Sequence, residues 1–208
     1  MGFVEQPKHS SRRGWSFVRN KELFLLVDER SKDGSEQLLS VSEHDGVTPK
    51  VTKVKDGGFV TRAKSLVDYK RCQPGDLIIN IMLAWRKGLG VSQYNGIVSP
   101  AYAVFRPKAK VCSKYYHFLF RTKRYASLFK QHSKGIIDSR LRLYPERFLA
   151  LRSLLPPIDE QRKIVAYLDD KISVIKQTQV GLIALVERIQ ELEVTFIDDV
   201  VNGIVHIP

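Results

Sequence analysis

The stretch LPPIDEQRKIVAYLDDKISVIKQTQVGLIALVERIQELEVTFIDDVV, running from Leu155 to Val201, decides how this chain is organised. After Pro156-Pro157, Asp159 is placed to cap a helix whose first turn carries Glu160, where an acidic side chain complements the helix dipole. No proline follows until Pro208. With heptad position d at Leu168, Ile175, Leu182, Ile189 and Phe196, position a falls on Val165, Ile172, Gln179, Val186, Glu193 and Val200; nine of these eleven are apolar. Five heptads predict a coiled-coil helix from Asp159 to about Val201, roughly 60 Å long at 1.5 Å per residue. Such a seam cannot bury itself. A domain of about 160 residues offers only about 30 Å of surface, too little for the helix to lie on, so a partner helix is expected. Gln179, near Gly181, is a polar break that fixes register or bends the helix.

Working outward, charge divides the chain at the same place. Up to Ile158 there are 29 Lys and Arg against 13 Asp and Glu, a net of +16; from Asp159 onward there are 5 against 9, a net of −4. The excess positive charge therefore belongs to the first part, as expected of a part that meets a polyanion while the helix meets protein. A total of 208 residues, 43% of them hydrophobic, is enough for one ordinary core with an appendage.

Membrane attachment is not expected. The longest apolar run, Leu77 to Trp85, is short and carries Asn80, whereas a spanning helix needs about 20 apolar residues. Met1 to Trp15 is polar and basic, without the apolar centre of a secretory signal, and Gln6 departs from the myristoylation pattern. A cytoplasmic protein is expected, with Cys72 and Cys112 as reduced core thiols.

The basic part reads as short strands between turns. Leu38–Ser42, Val51–Val54, Gly58–Thr61, Asp76–Met82 and Ala101–Arg106 are punctuated by Asp45-Gly46, Asp56-Gly57, Pro74-Gly75 and Asn95-Gly96. One amphipathic helix is expected after a Ser113 cap, reaching about Gln131. Phe118, Leu119, Tyr125, Leu128 and Phe129 form its inner side, with Arg121, Lys123 and Arg124 outside. The fold class is α+β: a β-rich domain followed by the coiled-coil helix.

Stretches that look like catalytic motifs lack the spacing or context their chemistry needs. Ser99-Pro100-Ala101-Tyr102 resembles the base-holding loop of amino-methyltransferases, and Gly88-Leu89-Gly90 their glycine loop. In those enzymes the two loops end different strands many tens of residues apart; here they are under ten residues apart, which leaves no room for the cofactor fold. Asp56 with Asp68-Tyr69-Lys70 fits the loose acidic and lysine pattern of metal-dependent nucleases, a triplet that chance produces often. Asp68 is read instead as a turn residue and Lys70 as surface. His9, His44, His117, His132 and His206 form no pair at metal-ligand spacing. Neither a Walker loop nor a nucleophile elbow occurs. No catalytic residue, metal or cofactor is assigned.

Four other stretches carry a family likeness: Leu38 to Val47 (LLSVSEHDGV); Tyr69-Lys70 with Pro74 to Asn80 (PGDLIIN); Gly96 to Tyr102 (GIVSPAY); and Leu155 to Gln161 (LPPIDEQ). In order and content they resemble the specificity subunits of type I restriction-modification systems, and Asn202-Gly203-Ile204-Val205 is similar to the family's closing segment. The resemblance implies a target-recognition domain over residues 1–155 and a conserved spacer helix over 156–208. It makes Ser99 to Tyr102 scaffold. Full specificity subunits carry two recognition domains and two antiparallel helices, so this chain resembles half of one, either natural or a fragment.

The expected partners are double-stranded DNA, a methyltransferase (modification) subunit, a restriction translocase, and a second copy paired through the helix. The seam is Val165, Leu168, Ile172, Ile175, Leu182, Val186, Ile189, Phe196 and Val200. Base readout needs forked donors or amides, and phosphate contacts need cations or hydroxyls on loops. Candidates are Ser42, Glu43 and His44 after the first strand; Lys50, Arg62 and Lys64; Arg86 and Lys87 beside Gly88; and Lys134, Arg140 and Arg142 around Gly135. The competing functions are a stand-alone dimeric DNA-binding regulator, or a methyltransferase or nuclease acting alone.

Overall fold

A computed structural model describes residues 14–50, 65–108 and 111–205, which fall in two compact units, one up to Arg162 and one from Lys163. Strands β1 (Ser16–Arg19) and β2 (Phe24–Val27) flank the short helix α1 (Asn20–Leu23). The hairpin β3 (Leu39–Ser42) and β4 (Gly46–Pro49) follows, then β5 (Lys70–Cys72), β6 (Leu77–Asn80), a 3₁₀ turn at Ala84–Arg86, β7 (Leu89–Val91), β8 (Gly96–Val98) and β9 (Tyr102–Pro107). Helices α2 (Ser113–Phe120), α3 (Lys123–His132) and α4 (Pro145–Ala150) precede β10 (Arg152–Leu155) and the long α5 (Ile158–Val201). The architecture is α+β, as expected.

The central sheet has the order β2-β9-β6-β7, antiparallel throughout. Every residue of β6 is buried, because the strand lies between two apolar clusters. Ile78, opposite Val104 of β9, joins Val27, Leu39, Val41, Val47, Cys72 and Val98 on one face. Leu77 pairs with Phe105, whose ring lies 4.6 Å from that of Phe148 and enters an aromatic cluster with Phe24, Tyr116, Phe120 and Phe129. A continuous apolar strand of this kind is what burial on both faces requires.

The PGDLIIN, GIVSPAY and LPPIDEQ stretches make structural contacts. Gly75 turns at φ +92. Asp76, fully buried, accepts two bonds from the Arg106 guanidinium at 3.2 Å and one from the Gln73 amide at 3.1 Å. Glu29 takes the other arm of Arg106 at 2.8 Å, and the two carboxylates hold the guanidinium pKa above its usual value. Asn80 caps the turn after β6 by accepting from Met82 N at 3.1 Å. Ser99 to Tyr102 is the turn into β9, closed by Tyr102 N donating to Ser99 O at 2.9 Å. In the LPPIDEQ stretch Gln161 is fully buried; its amide accepts from Cys112 N and donates to Pro156 O, both at 2.8 Å. Trp15 Nε1 donates to Glu160.

Several expectations are corrected. The single helix from Ser113 is two, because Thr122 interrupts it and caps α3 by accepting from Tyr125 N at 3.4 Å. Cys112, not Ser113, precedes α2. The break resets the helical phase, so Tyr115, Tyr116 and Phe120 are the buried residues of α2, while Phe118 and Leu119 are half-buried. The long helix starts at Ile158, which places Asp159 in its first turn instead of at the cap. Asp68 does occupy a turn, at φ +65, but Lys70 is not open surface: its side chain is 13% exposed and lies 3.5 Å from Asp28. Cys72 is buried and Cys112 half-buried, both free thiols. The strands expected at Val51–Val54 and Gly58–Thr61, together with Asp56, lie outside the described residues.

In the second unit, α5 is a single helix of 44 residues, about 66 Å at 1.5 Å per residue. Among the described residues, no helix is long and apolar enough to cross a membrane.

Candidate nucleic-acid interface

The β3–β4 hairpin turns through Ser42-Glu43-His44-Asp45, and Gly46 closes it at φ +78. Ser42 Oγ accepts from Asp45 N at 2.8 Å. The turn is locked from behind by Arg121, which the sequence had placed on an outer helix face. It sits instead at the break between α2 and α3, half-buried. Its guanidinium donates to five carbonyl oxygens: Glu43 at 2.7 Å, His44 at 2.6 Å, Leu89 at 2.8 Å, Lys87 at 3.0 Å and, at the limit, Ser42 at 3.5 Å. Burial pulls its pKa down, and Asp45 partly opposes this. The carbonyl dipoles supply the stabilisation that lost water would have given.

Arg121 thereby joins the hairpin tip to the turn carrying Trp85, Arg86 and Lys87. Lys87 adopts the left-handed conformation at φ +65, and a Cβ on the following Gly88 would lie 2.7 Å from that of Leu83. Arg86 is among the candidate base readers. Its Nε lies 2.9 Å from the Glu43 carboxylate, and its guanidinium stands 5.9 Å from the centre of the Trp85 ring. Reading a base would require it to leave Glu43. Lys130, from the end of α3, stands 4.9 Å over the same Trp85 ring and pairs with Asp138 at 2.6 Å. No sequence signal connected Lys130 or Trp85 with this surface.

Asp138 belongs to the loop that contains the last three candidates. Lys134 and Arg142 exchange backbone hydrogen bonds, both 2.9 Å, which closes the loop at its neck. Among the described residues, none of the side chains of Lys134, Arg140 and Arg142 is paired with a carboxylate. Their charge is not neutralised within the loop. Arg121, Lys130 and Trp85 therefore connect Ser42, Glu43, His44, Arg86 and Lys87 with the 134–142 loop. Lys50 is exposed at the other end of the hairpin, its amide bonded to Leu38 O at 2.9 Å. Arg62 and Lys64 lie outside the described residues. Among the described residues, no group of His, Cys, Asp or Glu could hold a metal ion.

Along α5 the seam residues Ile175, Leu182, Val186, Ile189 and Phe196 are all exposed, whereas Val165, Leu168, Ile172 and Val200 are half-buried. The apolar surface is wider than the seam. Ile183 and Ile197 stand exposed at heptad position e, and Leu185 and Leu192 at g.

Neither a protein-family model nor a curated protein matches the sequence. Solved structures do share the fold. The chain matches the HsdS subunit from Thermoanaerobacter tengcongensis with a TM-score of 0.55 at 19% identity, over 84% of this chain and 42% of that one. It matches a chain from a structure concerned with complex assembly and conformational transition of the type I R-M system with a TM-score of 0.58 at 18% identity. That match covers 94% of this chain and 47% of the other. The fold is that of a type I specificity subunit, and the chain spans less than half the length of the solved proteins it matches.

Proposed function

We propose that the chain is one DNA-reading half of a type I specificity subunit, with residues 1–155 as the target-recognition domain and 156–208 as the spacer helix. The observation that carries this reading is the specificity-subunit fold together with a loop whose three cations, Lys134, Arg140 and Arg142, pair with no carboxylate among the described residues. The net charge of +16 up to Ile158 supports a polyanionic partner. The chain itself performs no reaction and acts in the cytoplasm. It directs a methyltransferase subunit, and with it a restriction translocase, to a target in double-stranded DNA.

The exposed seam of α5 pairs with a second copy, since two such helices in isologous contact bury both stripes. A helix pair fills positions a and d; the aliphatic residues at e and g then remain for the methyltransferase. Antiparallel pairing places one reader at each end, so the target is two inverted half-sites around an unread spacer.

The test is methylation of plasmid DNA by the full chain with and without an added type I methyltransferase subunit. Methylation of a bipartite symmetric site only when both are present supports the proposal. Methylation or cleavage by the chain alone would assign it an activity of its own and sink the reading.

A further inference from the structure

Ile136, in the 134–142 loop, is 100% exposed and its neighbour Ile137 is 52% exposed. Single aliphatic side chains on a surface are ordinary, but two successive ones on a loop held in shape by other groups are a candidate contact site. This loop is held. Its neck is closed by the Lys134–Arg142 backbone pair, Arg140 N folds back onto Ile137 O at 2.9 Å, and Leu143 N ties the base to Ile81 O at 2.8 Å. Asp138 is pinned by Lys130, and Leu141 is buried. Gly135 sits at φ +151, where a Cβ would lie 2.6 Å from Arg140 O, so the neck admits only glycine. The fully exposed Ile136 side chain contributes nothing to this order, and the loop presents it already arranged.

Lys134, Arg140 and Arg142 belong to the same loop and are exposed or half-buried. Cations around a protruding apolar side chain match a groove of duplex DNA, where phosphates line the rim and base edges and base steps offer apolar surface within. An anionic lipid surface has related chemistry, but the fold and the Arg121-locked tip beside the loop favour DNA.

We propose that the 134–142 loop enters a DNA groove and that Ile136 makes an apolar contact with the bases there, supplying a part of the binding that salt does not screen. This rests on the DNA-reading function above.

The test is binding of the full chain to a random-sequence pool of duplexes of about 30 base pairs, followed by anisotropy over a range of salt. Ile136→Ala is expected to weaken binding roughly tenfold at every salt concentration, with the slope of log K against log salt unchanged. Ile136→Leu restores the affinity, whereas Arg140→Ala flattens the slope by about 1. The melting temperature of Ile136→Ala equals that of the wild type. Wild-type affinity in Ile136→Ala overturns the contact and leaves DNA reading standing. Absence of wild-type binding overturns both. Loss of binding to phosphatidylserine vesicles in Ile136→Ala, with DNA binding intact, assigns the tip to lipid and also overturns the contact.

Discussion

In the unit up to Arg162, Phe24, Phe105, Phe120, Phe129 and Phe148 are each at most 1% exposed, whereas in the unit from Lys163 onward Ile175, Leu182, Ile189 and Phe196 stand between 55% and 62% exposed. The first unit closes its apolar surface with its own chain. The second has the same residue types, in a pattern just as regular, and leaves them open. On the pairing proposed above, its stability is set by concentration and partner, while that of the first is set by packing. The same difference separates the two kinds of interface proposed here: cations and a held loop for DNA, an aliphatic stripe for protein.

The sharpest way to break the comparison is Leu182→Glu with Ile189→Glu. Light scattering is expected to show a dimer for the wild type and a monomer for the variant, with the near-ultraviolet spectrum of the globular unit unchanged. A wild type that is monomeric at roughly micromolar concentration removes the homodimer. Phe148→Ala tests the other side, because the ring touches Phe24, Phe105, Phe120 and Phe129. It is expected to destabilise the globular unit by about 3–5 kcal/mol in denaturant melts and to leave helix association intact. Arg121→Met follows at about 2–3 kcal/mol, since it leaves inward carbonyls without their donor; Arg121→Lys is expected to recover only part, because an ammonium cannot span the same fork.

The smallest effect concerns Cys72. Burial pushes its thiol from an ordinary 9.0 up to about 11, with Asp76 adding to the rise. The folded state then keeps a proton that the unfolded chain releases, so the stability from this group is complete below pH 9.0 and is lost as pH rises to about 11. Cys72→Ala is expected to flatten the fall in melting temperature over that window, and an unchanged slope would show that another group governs it.

What could be read from the sequence follows the same division. The seam of α5 and the buried run of β6 were legible because periodicity and continuous apolarity are local signals. The break at Arg121-Thr122 was not: apolar spacing continues across it, and only the carbonyls of Glu43, His44, Lys87 and Leu89 explain why an arginine turns inward there. The short strands Lys70–Cys72, Leu89–Val91 and Gly96–Val98 carry too few residues to show alternation. At the interface, Lys134, Arg140 and Arg142 were named from loop position and charge, but the Glu43–Arg86 pair joins residues with no pattern between them. Ile136 carries no signal in the sequence, since an aliphatic side chain reads as core and only its exposure shows otherwise.

The Arg121 contacts also bear on the order in which the domain folds. Its guanidinium comes from residue 121, while its acceptors come from residues 42–44 and from residues 87–89, so two loops of more than thirty residues must close before the fork is filled. Contacts of such separation are late in folding, and Arg121→Met is expected to speed unfolding while leaving the folding rate nearly unchanged, a φ-value near zero. A nascent or partly unfolded chain would then hold its aromatic cluster before its hairpin tip. The surface proposed to meet DNA would be the last part of the domain to acquire a shape, present only on molecules that have finished folding.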